Sequence, residues 1–379
     1  MSDDLLTLRF STTCAAAQVV SEEPSVTWWK PWPSVLVNLS GQPFDPARLN
    51  AGHRPSHARR LERLRSVHLL WSDFFVAEGV VSTIYDGDAR ASVQQVVANA
   101  ELSRYIGVTR RGEDVVVPRA RLHGAQRIPG PVLFATSDEP HNWGLWLLYV
   151  LPAVVHFMRN RALYRKLFVF AAHPNMRALL ALLGVQEDDI ILHDCGTAYW
   201  FEDVHVFRQS MRDFYISPAA RLLYAQVRDA VVARHGPSAV RKLYVARLRR
   251  TRELDAYRGL LNEQALADRL SALGYTAVEP EFMNVEDQVR LFAGADRIVA
   301  IGGAGLFNAV FCQPGARLLD IESTALYLDA HSNIFAGCRL DYGLMIGMED
   351  MADSSPAHRR WSVDLDAAMP AIADFMEKR

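Results

Sequence analysis

A short glycine-rich segment, Gly302-Gly303-Ala304-Gly305, follows the apolar, β-branched run from Ile298 to Ile301. Glycines in this place predict a turn between a strand and a helix. A helix that begins at such a turn directs unpaired backbone N–H groups at the space above the strand, which suits an anion such as a diphosphate. The spacing is not the G-x-G-x-x-G of dinucleotide enzymes, so the motif taken alone is equally compatible with a purely structural turn.

The elements that must position this turn form two alternating α/β stretches. Strand-like and helix-like segments alternate from about residue 119 to 212, and a second alternating series follows the Gly236-Pro237 break. This pattern predicts parallel sheets with crossover helices. Two successive α/β domains imply a cleft between them, where ligands usually bind. Residues 1 to about 118 mix short strand-like pieces with an Arg-rich segment and show no clear periodicity.

Composition restricts the class of protein. The chain has 379 residues, half of them hydrophobic, so it can bury a large core in two or three domains. A formal net charge of −2 argues against a general nucleic-acid binder.

The cysteines lie far apart and form no C-x-x-C pair, so the sequence indicates neither a disulfide framework nor a zinc site: Cys14, Cys195, Cys312 and Cys338. Four histidines have no partners at metal-ligand spacing, so no metal is expected: His173, His193, His205 and His331.

The first residues carry acids where an export signal needs a basic region, which predicts a cytoplasmic protein. The longest apolar run, Gly144 to Met158, contains Pro152 and is shorter than the roughly 20 residues of a membrane helix. Its i, i+3, i+4 spacing predicts a buried helix instead. Peripheral association with a membrane surface stays open.

Beyond these patterns, the C-terminal half resembles glycosyltransferase family 61, of the bacterial capsular and exopolysaccharide type. The matching residues are, in chain order, Tyr244 with Arg247, Arg258 with Asn262-Glu263, Gln288, Gly303-Ala304-Gly305-Leu306 with Asn308, and then Phe311, Pro314-Gly315 and Glu322. Their order and spacing agree with the family signature over roughly 80 residues. Weaker similarity, in NWGLWLLYVLP and LLGVQEDDIILHD, extends the resemblance back to about residue 130.

The resemblance implies an α/β protein of GT-B architecture, with two Rossmann-like domains facing a cleft. The expected divisions are a mixed β-containing region at 1–118 packed on the first domain, an acceptor-side domain at 119–215, a nucleotide-sugar domain at 216–363, and a helix at 364–379 that in this architecture often crosses back to the first domain. The implied activity is inverting, metal-independent transfer from a nucleotide-sugar co-substrate, with no other cofactor. A glycan or lipid-linked acceptor in bacterial surface polysaccharide synthesis, at the inner face of the membrane, would be typical of the family.

The resemblance also assigns roles to residues. Arg247 would neutralise the leaving diphosphate, with Arg258 as a second candidate, and Glu322 would accept hydrogen bonds from ribose hydroxyls. Asn262 and Asn308 either contact the donor or orient loops. The full set of expected donor-binding residues is Arg247, Arg258, Asn262, Gly302, Gly303, Ala304, Gly305, Leu306, Asn308 and Glu322.

This chain departs from the family pattern at three polar positions. Gly302 stands where histidine is common, and Leu145 and Tyr149 stand where a histidine and an acid are common. An inverting transfer normally needs a base within hydrogen-bond reach of the attacking hydroxyl. Asp138, Glu139 and His141, which follow the strand VLFATSD, are therefore the candidates for that base. The alternative is a turn in which Ser137 or Asp138 caps the following helix.

Two other functions remain open. The lost histidines and acid would also fit a catalytically inactive family member that acts as a binding or assembly protein. The glycine turn alone would fit a nicotinamide or flavin oxidoreductase, but the fuller dinucleotide fingerprint is missing. The donor nucleotide, the sugar, the acceptor and the oligomeric state are not specified by these residues.

Overall fold

The computed structural model describes residues 4–12, 17–56, 59–86, 90–210, 214–249, 259–323, 328–353 and 359–377. It confirms a mixed α/β class. Two compact units are present, the first formed by Met1–Val26 and Pro55–Asp213 and the second by Thr27–Arg54 and Phe214–Arg379. The chain therefore passes into the second unit early and returns, because Thr27–Arg54 belongs with the C-terminal half.

The strands are, in chain order, β1 (Leu5–Phe10), β2 (Gln18–Glu23), β3 (Thr27–Lys30), β4 (Val35–Asn38), β5 (Gly52–Pro55), β6 (Arg59–Leu70), β7 (Phe74–Ala77), β8 (Val80–Ser82), β9 (Tyr85–Asp86), β10 (Thr109–Arg111), β11 (Asp114–Pro118), β12 (Gln126–Ala135), β13 (Lys166–Val169), β14 (Ile190–Leu192), β15 (Tyr199–Ser210), β16 (Lys242–Val245), β17 (Thr276–Val278), β18 (Arg297–Ile301), β19 (Arg317–Glu322), β20 (Asp341–Ile346), β21 (Met348–Glu349) and β22 (Trp361–Ser362).

The α-helices are α1 (Arg90–Ala98), α2 (Ala100–Ile106), α3 (Arg119–His123), α4 (Trp143–Leu145), α5 (Leu151–Arg159), α6 (Pro174–Leu182), α7 (Pro218–His235), α8 (Glu263–Ala272), α9 (Val285–Gly294), α10 (Leu328–Gly337) and α11 (Leu365–Glu377). A π-helical turn, Trp146–Val150, joins α4 to α5. Short 3-10 helices are Pro46–Leu49, Arg161–Leu163, Glu187–Asp189, Pro280–Phe282 and Ala304–Phe311.

The first unit contains a 12-stranded mixed sheet. Strands β12, β13, β14 and β15 pair in parallel, as the alternation of residues 119 to 212 predicts. The long strand β6 then pairs antiparallel with β15 and carries β2 and β7 on its other edge. The parallel strands direct their carboxyl ends to one edge of the sheet, where loops can gather polar side chains.

The second unit contains a six-stranded sheet in the order β17-β16-β18-β19-β20-β4, and every neighbouring pair is parallel. The five C-terminal strands confirm the predicted parallel sheet. The edge strand β4 comes from the N-terminal region, where the sequence shows no clear pattern. Its apolar residues Val35 and Val37 pack against the core of this unit.

Helices α8 and α11 cover one face of the second sheet. Leu266 and Leu270 of α8 and Ile372 and Phe375 of α11 are buried in one cluster with strand residues such as Leu319. The C-terminal helix therefore buries an apolar face in this cluster. The helix packs in the core of the second unit, to which its whole length belongs.

The buried helix predicted over Gly144 to Met158 is present and mostly buried, but its middle is widened. Pro152 lacks an N–H, and its ring clashes with the carbonyl four residues earlier in a regular α-helix. A π-helical turn just before it relieves this conflict, with the Leu151 N–H donating to the carbonyl of Trp146. This turn carries Tyr149, one of the positions where the chain departs from the family pattern.

Candidate functional site

The glycine turn and Arg247 lie at a reversal of strand order. From β16 the chain moves outward to β17 and then returns to the opposite side of β16 to form β18. In open parallel sheets, ligands bind at the carboxyl ends of the two strands that flank such a reversal. Arg247 lies two residues beyond β16, and Gly302 lies immediately beyond β18. The structure therefore brings these two parts of the predicted donor site together.

The Arg247 side chain extends along the glycine turn. Its Nη1 atom lies 3.5 Å from the carbonyl oxygen of Gly302. A Cβ atom built on Gly303 would lie 3.7 Å from Cδ of Arg247, an ordinary van der Waals separation. The Arg247 backbone N–H donates to Oε1 of Glu263 at 2.5 Å, which fixes the main chain at the end of β16. The guanidinium is consequently held above the turn.

The glycine turn continues into a 3-10 helix, Ala304–Phe311, rather than the expected α-helix. Gly303, Ala304 and Gly305 retain access to solvent, whereas Leu306 and Asn308 are fully buried. The Gly302 N–H donates to the carbonyl of Ile321 at 3.0 Å and is used by the sheet. Among the predicted turn residues, the backbone from Gly303 to Gly305 is therefore the part that an anion can approach.

Gly302 is required by the close approach of Glu322. A Cβ atom built at position 302 would lie 1.7 Å from Oε1 of Glu322, a separation that no side chain can tolerate. The Glu322 side chain is itself almost fully buried. The histidine that the family commonly has at this position is sterically excluded while Glu322 keeps this conformation.

Glu322 belongs to a buried ionic cluster with Asp320 and His331. Asp320 and Glu322 lie two residues apart on β19, so both side chains project from the same face of the sheet. Nδ1 of His331, on α10, lies 2.8 Å from Oδ2 of Asp320 and 3.2 Å from Oε1 of Glu322. The Tyr342 hydroxyl donates to the same Asp320 oxygen at 3.1 Å. Glu322 thus supports the turn from within the protein.

The charges in this cluster are mutually dependent. Burial disfavours an imidazolium, but the two carboxylates outweigh it and raise the pKa of His331 to about 10. Burial raises the pKa of Asp320, while His331 opposes that shift. Among the described residues, these three side chains are also spaced as metal ligands would be. One ligand atom from each lies within 4.8 Å of the other two. A metal would have to displace the proton that His331 shares with the two acids.

Other residues of the family signature hold the backbone. The Asn262 amide donates to the Val363 carbonyl at 2.7 Å and its oxygen accepts from the Val363 N–H at 3.2 Å. The Asn308 amide donates to the Gly305 carbonyl at 3.1 Å. The buried Gln288 amide donates to the carbonyls of Pro280 and Met283. These contacts fit the alternative in which the asparagines orient loops. Arg258 lies outside the described residues.

In the first unit, the predicted base candidates follow β12 and have different surroundings. Asp138 accepts a hydrogen bond of 2.6 Å from the Tyr85 hydroxyl, and its carbonyl accepts one of 3.1 Å from Ser72 Oγ. Glu139 is exposed and accepts from the Asn142 amide at 2.9 Å. The exposed His141 ring packs edge-on against Phe170, with centroids 4.7 Å apart. Asp138 is therefore the candidate with the most defined contacts.

Neither Ser137 nor Asp138 is the residue that caps the following helix. The cap of α4 is Asn142, whose side-chain oxygen accepts from the backbone N–H groups of Gly144 and Leu145. Asp138 is consequently not needed to start the helix. Leu145 is buried, so the helix offers an apolar side chain at the position where the family commonly has a histidine.

A second carboxyl group, Asp73, lies near Asp138 and was not anticipated from the sequence. Asp73 is almost completely buried in the loop between β6 and β7. Burial, followed by the charge of Asp138, raises the pKa of Asp73 to about 8. Asp73 therefore keeps its proton at neutral pH. A carboxyl group with a strongly raised pKa beside a second carboxyl group is typical of acid–base sites.

Taken together, fold and site describe a two-unit α/β protein with a glycine turn and Arg247 at a strand-order reversal in one unit, and with Asp138 and Asp73 on neighbouring loops of the other. Residues 133–319 match the model of a protein family described as Glycosyltransferase 61. The match covers just under half of the chain and begins in β12, close to where the resemblance begins. No curated protein matches the chain.

The matched region includes Asp138, Arg247 and the glycine turn but stops before Glu322 and His331. Among the described residues, no helix has both the length and the apolar character needed to cross a membrane.

Substitution of Gly302 tests the close approach of Glu322. We expect Gly302→Ala to lower the free energy of unfolding by about 2–3 kcal/mol, because the new methyl group overlaps the carboxylate. Gly303→Ala is the matched control and should cost about 1 kcal/mol or less, since its Cβ meets only ordinary contacts. Urea denaturation measures both. The Gly302→Ala loss should shrink in a Glu322→Ala background, and an equal loss in both backgrounds would contradict the steric explanation.

Replacement of His331 tests the buried ionic cluster. We expect His331→Gln to destabilise the protein by about 3–5 kcal/mol near pH 7, because two buried carboxylates lose their cation. The folded-state pKa of about 10 lies above the ordinary histidine pKa of 6.5, so the stabilisation by protonated His331 is lost as pH rises between these values. The difference between wild type and variant should therefore shrink from pH 7 to pH 10 in urea denaturation. A constant difference would exclude a protonated His331.

Proposed function

We propose that this protein is an inverting, metal-independent glycosyltransferase of GT-B architecture that uses a nucleotide-sugar donor. The observation that carries the proposal is the position of Arg247 and the glycine turn at adjacent strand ends, where the strand order reverses, inside the region of the family match. A cation and accessible backbone N–H groups at that point suit a diphosphate.

In the donor half, the guanidinium of Arg247 binds the diphosphate, and the backbone from Gly303 to Gly305 approaches it closely. As the bond between the sugar and the diphosphate breaks, negative charge develops on the leaving oxygen. A fixed cation at that oxygen stabilises the transition state more than the ground state, which is what accelerates transfer. Glu322 is buried against His331, so its proposed part is to support the turn rather than to bind ribose.

In the acceptor half, Asp138 acts as the general base. The acceptor hydroxyl attacks the anomeric carbon, its proton passes to the Asp138 carboxylate, and the nucleoside diphosphate leaves from the opposite face with inversion. The Tyr85 hydroxyl holds the carboxylate in place. The raised pKa of Asp73, about 8, keeps that buried neighbour protonated at neutral pH, so Asp73 itself does not act as the base.

The acceptor and the cellular location are inferred from what is typical of the family. We propose a glycan or lipid-linked acceptor in bacterial surface polysaccharide synthesis, on the cytoplasmic side of the inner membrane.

The second candidate function is a non-catalytic binding or assembly protein. It is favoured by Gly302 and Leu145 at positions where the family commonly has histidines: a side chain at position 302 would overlap Glu322, and Leu145 is a buried apolar residue.

The donor half is tested by calorimetric titration with UDP, GDP, CMP and TDP. We expect one of them to bind, and Arg247→Ala to weaken that binding about tenfold to a hundredfold through loss of a charge-assisted hydrogen bond. Arg249→Ala is the matched control, because Arg249 is close in sequence but exposed and paired with Glu279. Its affinity should stay within about twofold of wild type. Binding that is unaffected by Arg247→Ala would remove the proposed donor site.

The acceptor half is tested by turnover with the donor so identified and excess chelator present. We expect Asp138→Asn to reduce kcat by about a hundredfold or more, because the amide cannot accept the proton, while nucleotide affinity is unchanged. Glu139→Gln is the matched control at an exposed neighbouring acid and should retain nearly full turnover. Full activity of Asp138→Asn would disprove the assignment. Nucleotide binding without any transfer in wild type would favour the non-catalytic alternative.

A further inference from the structure

The first unit has a cavity of about 430 Å³ at the carboxyl ends of β13 and β14. Its walls come from separate segments of the chain: Trp71 after β6, Tyr105 on α2, His141 after β12, Phe170 after β13, and His193 with Asp194 after β14. Trp71, Tyr105 and Asp194 are not part of any sequence-based expectation. A concave site with aromatic walls and a few polar groups is the usual form of a small-ligand site.

Two polar atoms of the cavity walls have no hydrogen-bond partner among the described residues. Nε2 of His193 lies 2.9 Å from the Trp71 carbonyl, to which it donates. Burial lowers the pKa of His193 to about 4, so the ring is neutral and Nδ1 is a hydrogen-bond acceptor. Nδ1 of His193 and Nε1 of Trp71 are both buried and unsatisfied. One acceptor and one donor on residues that line the cavity are therefore unused among the described residues.

The backbone at Trp71 is also unusual. Its φ of 58° lies in the left-handed region, which a bulky aromatic residue rarely adopts. Such a conformation persists only where the surroundings enforce it, and it is concentrated at ligand sites. Here the hydrogen bond to His193 and the contacts of the next residue hold the loop. Trp71 thus lines the cavity and also packs against an apolar cluster of the first unit.

The chemistry of the walls favours a neutral ligand with many hydroxyl groups. Trp71, Tyr105 and Phe170 offer aromatic surfaces, which suit the apolar C–H face of a sugar ring. A hydroxyl group both donates and accepts, so hydroxyls of one ring can satisfy His193 Nδ1 and Trp71 Nε1 together. The charges are balanced, since Arg177 and Asp194 each contribute one. Asp194 is already bound by the Tyr105 hydroxyl at 2.9 Å and Thr197 Oγ1 at 2.7 Å.

The cavity is connected to the proposed base through one loop. Ser72, next to Trp71, donates from Oγ to the Asp138 carbonyl at 3.1 Å. The Ser72 carbonyl accepts from Thr136 Oγ1 at 2.7 Å. His141, three residues after Asp138, contributes to the cavity wall. The loop that forms one wall of the cavity therefore also fixes the segment that carries Asp138.

We propose that this cavity binds one neutral sugar ring of the acceptor glycan, with Trp71 Nε1 and His193 Nδ1 as the groups that recognise its hydroxyls. The assignment to the acceptor rests on the proposed function, whereas sugar binding by the cavity can be measured without any donor or turnover.

The test is saturation-transfer NMR of wild-type protein with the methyl glycosides of glucose, galactose, mannose and rhamnose at millimolar concentration. Ala172→Trp fills the cavity from its exposed rim, and Ala178→Trp adds the same side chain at an exposed position of α6 outside the cavity. We expect at least one glycoside to bind, Ala172→Trp to weaken it about tenfold or more, and Ala178→Trp to leave it unchanged. Trp71→Phe keeps an aromatic ring but removes the donor, and should weaken binding about fivefold.

Three results would overturn the proposal. Either no glycoside binds to wild type, or glycoside binding survives Ala172→Trp, or inorganic phosphate, added in place of the glycosides, binds to wild type and is lost in Ala172→Trp. Nucleotide titration of Ala172→Trp separates this inference from the proposed function. If the variant binds the nucleotide as tightly as wild type, and binding still depends on Arg247, then the donor site stands even where the sugar cavity does not. The same titration shows that the variant is folded.

Discussion

The approach of the Glu322 carboxylate to Gly302 is the contact on which the candidate donor site depends. The carboxylate fills the volume that any side chain at position 302 would occupy, so the chain must have glycine there. The same carboxylate is buried and needs a cation, which His331 supplies from α10. An imidazole is therefore present close to the turn, but it comes from a different element and lies inside the protein. Glycine, carboxylate and imidazole are constrained as one set, and a change in any of them affects the other two.

Both candidate half-sites use the same property of parallel sheets. In each unit, loops that follow adjacent parallel strands meet at one edge, and the polar residues that these loops carry are brought together. In the second unit this gives Arg247 and the glycine turn. In the first unit, the same arrangement brings Asp138, His141 and His193 to one edge of the sheet. This unit differs in one respect, because the loop after the antiparallel strand β6 also contributes Trp71 and Asp73.

The sequence predicts the part of the fold that is local and periodic. Alternating strands and helices identify both parallel sheets, and the glycine run after β18 identifies the turn. Three features depend on long-range pairing and could not be predicted: β4 in the second sheet, the loop after β6 beside Asp138, and His331 against β19. One signal was present for the last of these, because Asp320 and Glu322 alternate on a strand and two buried acids on one face require a cation. The 3-10 and π-helical segments have no clear periodic signal in the sequence. Only Pro152 indicates that the helix around it departs from regular α-helical geometry.

The carboxylate pair in the first unit explains how an acid missing from the helix can be replaced. Tyr149 stands where the family commonly has an acid, and it lies in a π-helical turn that Pro152 favours. Asp138 and Asp73 lie on two loops instead, and their environments differ: Asp73 is almost fully buried, while Asp138 is partly exposed and held by Tyr85. Burial raises the pKa of Asp73 to about 8, so this carboxyl group keeps its proton at neutral pH, whereas Asp138 is the carboxyl group that an acceptor hydroxyl can reach. A base placed on a loop needs rigid support, and the hydrogen bonds from Ser72 and Tyr85 provide it. The loss of the usual acid from the helix is therefore compatible with catalysis, provided that the loop after β12 carries the base.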